Sequence, residues 1–94
     1  MREREGADIW IVGIGNFSCA RWLSSAFLEG SGEAWIAGYW TGLNELSNTD
    51  HMVGHAVDNA GIYGEVKKVC TEHPSMQLPE ATYQVYDMIA AQHK

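Results

Sequence analysis

A chain of 94 residues, 46% hydrophobic and 11% aromatic, has the length and composition of one globular domain with no low-complexity segment. Twelve Asp and Glu against six Lys and Arg give a formal charge of −6. That field repels phosphate backbones and anionic headgroups and argues against a nucleic-acid or membrane-surface role, while the longest early apolar run, Ile9-Trp10-Ile11-Val12, is far too short to insert into a membrane.

Residues 1–7 read as a charged, flexible tail and residues 8–94 as a single helical domain. Met1-Arg2-Glu3-Arg4-Glu5 leads into no apolar h-region, so either the chain is not exported or a leader has been removed ahead of this start, and the second is the expectation. Residues 8–13 form a short extended segment, and Gly13 and Gly15 loosen the chain before Ser18, an N-cap for the first helix. Cys19, Trp22, Leu23, Ala26 and Phe27 share one face of that helix, and Gly30 is placed to end it.

A second helix is expected from about Glu33 to Leu46, capped by Ser31. Trp35, Ile36, Tyr39, Trp40, Leu43 and Leu46 give it a broad apolar stripe, and Ala34, Gly38 and Gly42 a stripe of small residues. Glycine inside a helix costs about 1 kcal/mol relative to alanine. Close packing of neighbours on these bare positions, with this helix at the centre of the bundle, would offset that cost. Residues 47–58 form a polar connection. Asp58 or Asn59 caps a third helix whose Ile62, Val66, Val69 and Cys70 share a face, and Pro74 ends it. A fourth begins near Leu78–Pro79, with Leu78, Thr82, Val85 and Ile89 on one face, widened by Ala81 and Tyr86. The fold class is therefore all-α, a compact four-helix domain.

Cys19 and Cys70 have three readings: a buried pair of reduced thiols, a metal or nucleophile role, and a disulfide. Small exported domains use disulfides to supplement a thin core. Cys19 falls in the first turn of the first helix and Cys70 in the last turn of the third, so antiparallel packing would bring them together. Closing so long a loop is worth ~4 kcal/mol in the chain-entropy model. His51 and His55, with Asp50 and Asp58 nearby, have a spacing that zinc could use, but solvated histidines in a polar connection are commoner, and no metal site is assigned. Gly13-Ile14-Gly15-Asn16-Phe17-Ser18 lacks the last glycine of a dinucleotide fingerprint and has no room for a βαβ unit, so its glycines are read as permitting a tight approach to the first helix. Asn16-Phe17-Ser18 is a glycosylation sequon, relevant only to a chain secreted by a eukaryote.

Trp10, Trp22, Trp35, Tyr39 and Trp40 are mostly core by this reading. A bundle this small cannot cover them all, and Trp10 and Trp40 are the candidates for a partner-binding patch. No catalytic constellation and no cofactor motif is present, so the chain reads as non-enzymatic.

Three stretches carry a family resemblance: Gly15-Asn16-Phe17-Ser18-Cys19-Ala20-Arg21-Trp22-Leu23, then residues 34–44, then Val66-Lys67-Lys68-Val69-Cys70-Thr71-Glu72-His73-Pro74. Their pattern, at Cys19, Trp35, Gly38, Tyr39, Gly42, Asn44, Cys70 and Pro74, is similar to the Rap1a/Tai family of small bacterial periplasmic helical proteins, distantly like the HdeA acid-stress chaperones. It covers nearly all of residues 13–92. The resemblance implies a periplasmic or secreted helical domain with one disulfide, Cys19–Cys70. It also implies a protein partner, since characterised members are immunity proteins that bind toxins delivered by type VI secretion. No toxin-binding residue carries over. The leading expectation is thus an exported protein that binds another protein, homodimerisation included. An acid-stress chaperone is the alternative, its charge swinging from −6 towards about +10 below the carboxylate range. A structural or accessory subunit of an extracellular assembly is the third.

Overall fold

The computed structural model of the chain describes residues 10–92. The expected tail over residues 1–7, and the start of the extended segment at residues 8 and 9, lie outside the described residues. From Trp10 the backbone runs without regular structure into a single 3₁₀ turn, Gly13–Asn16, entered through a positive φ of 74° at Gly13.

Ser18 caps the first helix as expected, its Oγ accepting from the Arg21 N–H at 3.2 Å. Helix α1 is only Cys19–Trp22. Its first amides find acceptors in the distant 74–77 turn. The Cys19 N–H donates to the Met76 carbonyl at 2.8 Å and the Ala20 N–H to the Pro74 carbonyl at 2.9 Å, while the Leu78 N–H donates back to Phe17. Ser18 and Gln77 thereby form an isolated antiparallel bridge. Among the described residues there is no strand.

The first helix does not continue to Gly30. The chain turns at Leu23–Ser24, and Ser25 caps a new helix, α2, over Ala26–Leu46, its hydroxyl accepting from the Leu28 N–H at 3.1 Å. Ser31 is therefore an interior residue and not a cap. The physical reason lies at Trp22. Its indole N–H donates to the Glu29 carbonyl at 3.0 Å, and the ring lies so flat on α2 that a Cβ at Gly32 would fall onto its Nε1 and Cδ1. Gly32 is a contact surface rather than a helix breaker, and it rewards continuing the helix through Gly30.

Helix α3, Asn59–Glu72, starts at Asp58, whose Oδ1 accepts from the Gly61 N–H at 2.7 Å, and ends before Pro74. Helix α4 is Leu78–Gln92. Both match the sequence expectation. Cys19 and Cys70 are joined in a disulfide with their Cα atoms 4.9 Å apart, tying the start of α1 to the end of α3 in the buried interior.

The central helix is α4 and not α2. Leu78, Ala81, Thr82, Val85, Tyr86 and Ile89 of α4 are buried, whereas α2 buries only Gly32, Ile36 and Trp40. The fully buried Thr82 hydroxyl is satisfied within the helix by the Leu78 carbonyl, 2.9 Å away. The small stripe of α2 also differs from expectation, since a Cβ at Gly38 or Gly42 would meet nothing within 4 Å. Close approach occurs at Gly32, and at Gly15, where a Cβ would fall onto the Trp35 ring. The 3₁₀ turn therefore packs on α2, not on the first helix.

Candidate functional site

The two aromatic candidates part company. Trp10 is 91% exposed, but Trp40 is only 5% exposed and belongs to the core. Its indole N–H donates to the Val53 carbonyl at 2.8 Å, and its ring meets Tyr86 edge-on with centroids 5.0 Å apart. Gly54, at φ 90°, lets the chain pass beneath that ring, since a Cβ there would lie 3.1 Å from Trp40 Nε1. Trp40 is therefore not part of a surface patch. Trp22 is wholly buried, and Trp35 and Tyr39, half-buried, stack with centroids 5.0 Å apart. The Trp35 indole N–H donates to the Val12 carbonyl at 3.0 Å. This bond pins the leading segment to α2 while Trp10 and Val12 point outward.

The histidines do not converge on a shared site. His51 Nδ1 lies 2.9 Å from the Asn44 carbonyl and His55 Nδ1 2.9 Å from the Met52 carbonyl. Among the described residues no group of three His, Cys, Asp or Glu side chains is placed to hold a metal ion. Asn16 is exposed, with its amide donating to the Ile11 carbonyl at 2.7 Å.

Asn44 organises the 47–58 connection instead. Its Oδ1 accepts from the Val53 N–H at 3.0 Å and from the Tyr86 hydroxyl at 2.8 Å, and its Nδ2 donates to the Val53 carbonyl at 3.2 Å. Burial, with the nearby carboxylates of Asp50 and Asp87 as lesser causes, pushes the Tyr86 hydroxyl above its ordinary pKa. The hydroxyl thus remains a donor through the neutral range. This network anchors a loop and offers no reacting group.

The surface with unusual character is the outward face of α2. Ala26, Phe27, Gly30, Ser31, Ala34, Gly38 and Thr41 are its exposed positions before Glu45, and none is charged. A solvated helix face normally carries charge. Phe27 is 79% exposed, and Leu46, at the far end of the helix, is 83% exposed. The Thr41 hydroxyl is turned back onto the Ala37 carbonyl at 2.8 Å. Beside this face, α2 and α3 enclose a groove of about 380 Å³ lined by Trp22, Glu29, Glu33, Ala60, Tyr63, Gly64 and Lys67.

A first helix continued to Gly30 puts Phe27 on one face with Cys19, Trp22, Leu23 and Ala26. Phased with α2 instead, Phe27 aligns with Ser31, Ala34, Gly38 and Thr41, the small and polar side of that helix. The Ser24-Ser25 pair was the available signal for the break. Glu33, Tyr63 and Gly64 carry no such signal, since nothing in the chain alone brings α2 and α3 together there.

Comparison of the chain with protein-family models, with curated proteins and with solved structures finds no match.

Proposed function

We propose that this protein is a non-enzymatic, exported domain that binds another protein through the outward face of α2. The observation that carries the reading is the absence of charge on that face from Ala26 to Thr41, together with the exposed ring of Phe27. The disulfide fits an oxidising compartment, and among the described residues no helix is long and apolar enough to cross a membrane. Gly38 and Gly42 support the same reading: nothing inside the molecule approaches them, so their cost to the helix has no internal compensation. The resemblance to the Rap1a/Tai immunity proteins supplies the class of partner, a secreted toxin.

A photo-crosslinking residue at Ser31 should trap one stoichiometric partner in the native host, and the same residue at Lys68 on α3 should trap none. Gly38→Leu, whose side chain enters open space, should leave the fold intact and abolish the crosslink and any protection from the toxin. A chain that crosslinks to nothing at Ser31 and protects no cell would overturn the reading.

A further inference from the structure

We infer that the groove between α2 and α3 receives an arginine side chain of the partner, an inference that rests on the partner-binding reading above. Among the described residues the groove has one carboxylate to spare. Lys67 Nζ lies 3.1 Å from Glu29 Oε2 and matches that charge at one end, whereas Glu33, half-buried on the same wall, has no ion pair among the described residues. Opposite stand Ala60, Tyr63 and Gly64 of α3, with Tyr63 partly exposed. Trp22 also lines the groove, though it is itself fully buried.

Gly64 lines the same groove on the α3 side. It lies inside α3, where glycine is unfavourable, and a Cβ there would meet nothing within 4 Å. Its neighbour Gly61 has an internal reason, since a Cβ would come 2.8 Å from Val57 Cγ1. Gly64 itself is exposed, so its bare backbone leaves free space in the groove. A slot with a tyrosine on one wall and an unmatched carboxylate on the other suits a planar guanidinium, which can lie against the ring and donate to the carboxylate together. The net charge of −6 favours the approach of a basic partner.

The test uses the isotopically labelled full chain and a capped Gly-Arg-Gly peptide, with the matching citrulline peptide as a neutral control. A single anchoring side chain should bind with a Kd on the order of millimolar. Amide shifts should be confined to residues 29, 33, 60, 63, 64 and 67 and should saturate. The citrulline peptide should shift none of them. Glu33→Gln should weaken binding roughly tenfold, in the range of a lost charge-assisted hydrogen bond. Gly64→Leu fills open space with a better helix former, so it should raise the thermal midpoint while abolishing the shifts. Saturable binding that survives Gly64→Leu, equal binding of the citrulline peptide, or no shifts at these residues would each overturn the assignment. Crosslinking at Ser31 reads the α2 face without this groove, so its persistence in Gly64→Leu alongside absent peptide shifts would remove this inference alone.

Discussion

Asn44 shows how a single side chain can hold a loop that has no regular structure of its own. One amide oxygen takes both the Val53 N–H and the Tyr86 hydroxyl, and the amide nitrogen returns a bond to the Val53 carbonyl. Val53 and Tyr86 are buried and Asn44 is half-buried, so a missing donor would leave a partly desolvated acceptor underused. Tyr86→Phe removes one of the two donors to Asn44 Oδ1 and should lower stability by about 1 kcal/mol at neutral pH. The same variant carries a pH signature. The hydroxyl pKa is raised in the folded state above the value of about 10 that it has in an unfolded chain. Below that value the hydroxyl is protonated in both states and its contribution is fully present. As pH rises through it towards the folded value, the unfolded chain ionises first and stability is lost. Urea unfolding from pH 8 upward should therefore show an alkaline limb that is shallower in Tyr86→Phe. An identical limb in the two proteins would assign the loss to other groups.

At the scale of the helix, the glycines of α2 separate into two kinds that look alike in the sequence. Gly32 faces the Trp22 indole, and Gly38 faces open space. Gly32→Ala must displace the ring or bend the helix, and should cost about 1–3 kcal/mol as an overpacked core does. Gly38→Ala touches nothing and should stabilise the helix by about 1 kcal/mol. Thermal unfolding of the two variants should move in opposite directions, and a shared direction would contradict the placement of Trp22. This contrast also marks what could be read before the structure. Helices α3 and α4 followed from their caps, prolines and apolar spacing, because their neighbours agree with those local signals. The boundary between α1 and α2 did not. Glycine at 30 and 32 is a local stop signal, and only the long-range contact with Trp22 reverses its meaning. Likewise Trp40 sat on an apolar stripe too broad to divide by spacing. The Val53 carbonyl and the Tyr86 ring, both remote in sequence, put it inside.

For the whole molecule, a domain of 94 residues buries a limited fraction of its surface and has little stability to lose. The disulfide joins residues 51 apart and so restricts a large part of the unfolded chain. In the chain-entropy model that is worth ~4 kcal/mol, against a typical total of about 5–15 kcal/mol for a domain. The folded state does not depend on the bridge alone to seat α1, because the Cys19 and Ala20 N–H groups donate to the Met76 and Pro74 carbonyls and the Leu78 N–H donates to the Phe17 carbonyl. Those two facts make a joint prediction for the Cys19→Ala/Cys70→Ala double variant. Its folded amide spectrum should resemble that of the oxidised protein, with changes centred on residues 18–22 and 66–78, while its urea midpoint falls by an amount equivalent to about 4 kcal/mol. Reductant should shift the parent protein by a similar amount and leave the variant unchanged. A variant as stable as the parent would show that the bridge adds nothing to folding, and would remove the thermodynamic support for the proposed oxidising compartment. A large loss with a native-like spectrum would mean that under reducing conditions the bundle has little margin left, and that its working stability belongs to the place where the bridge can persist.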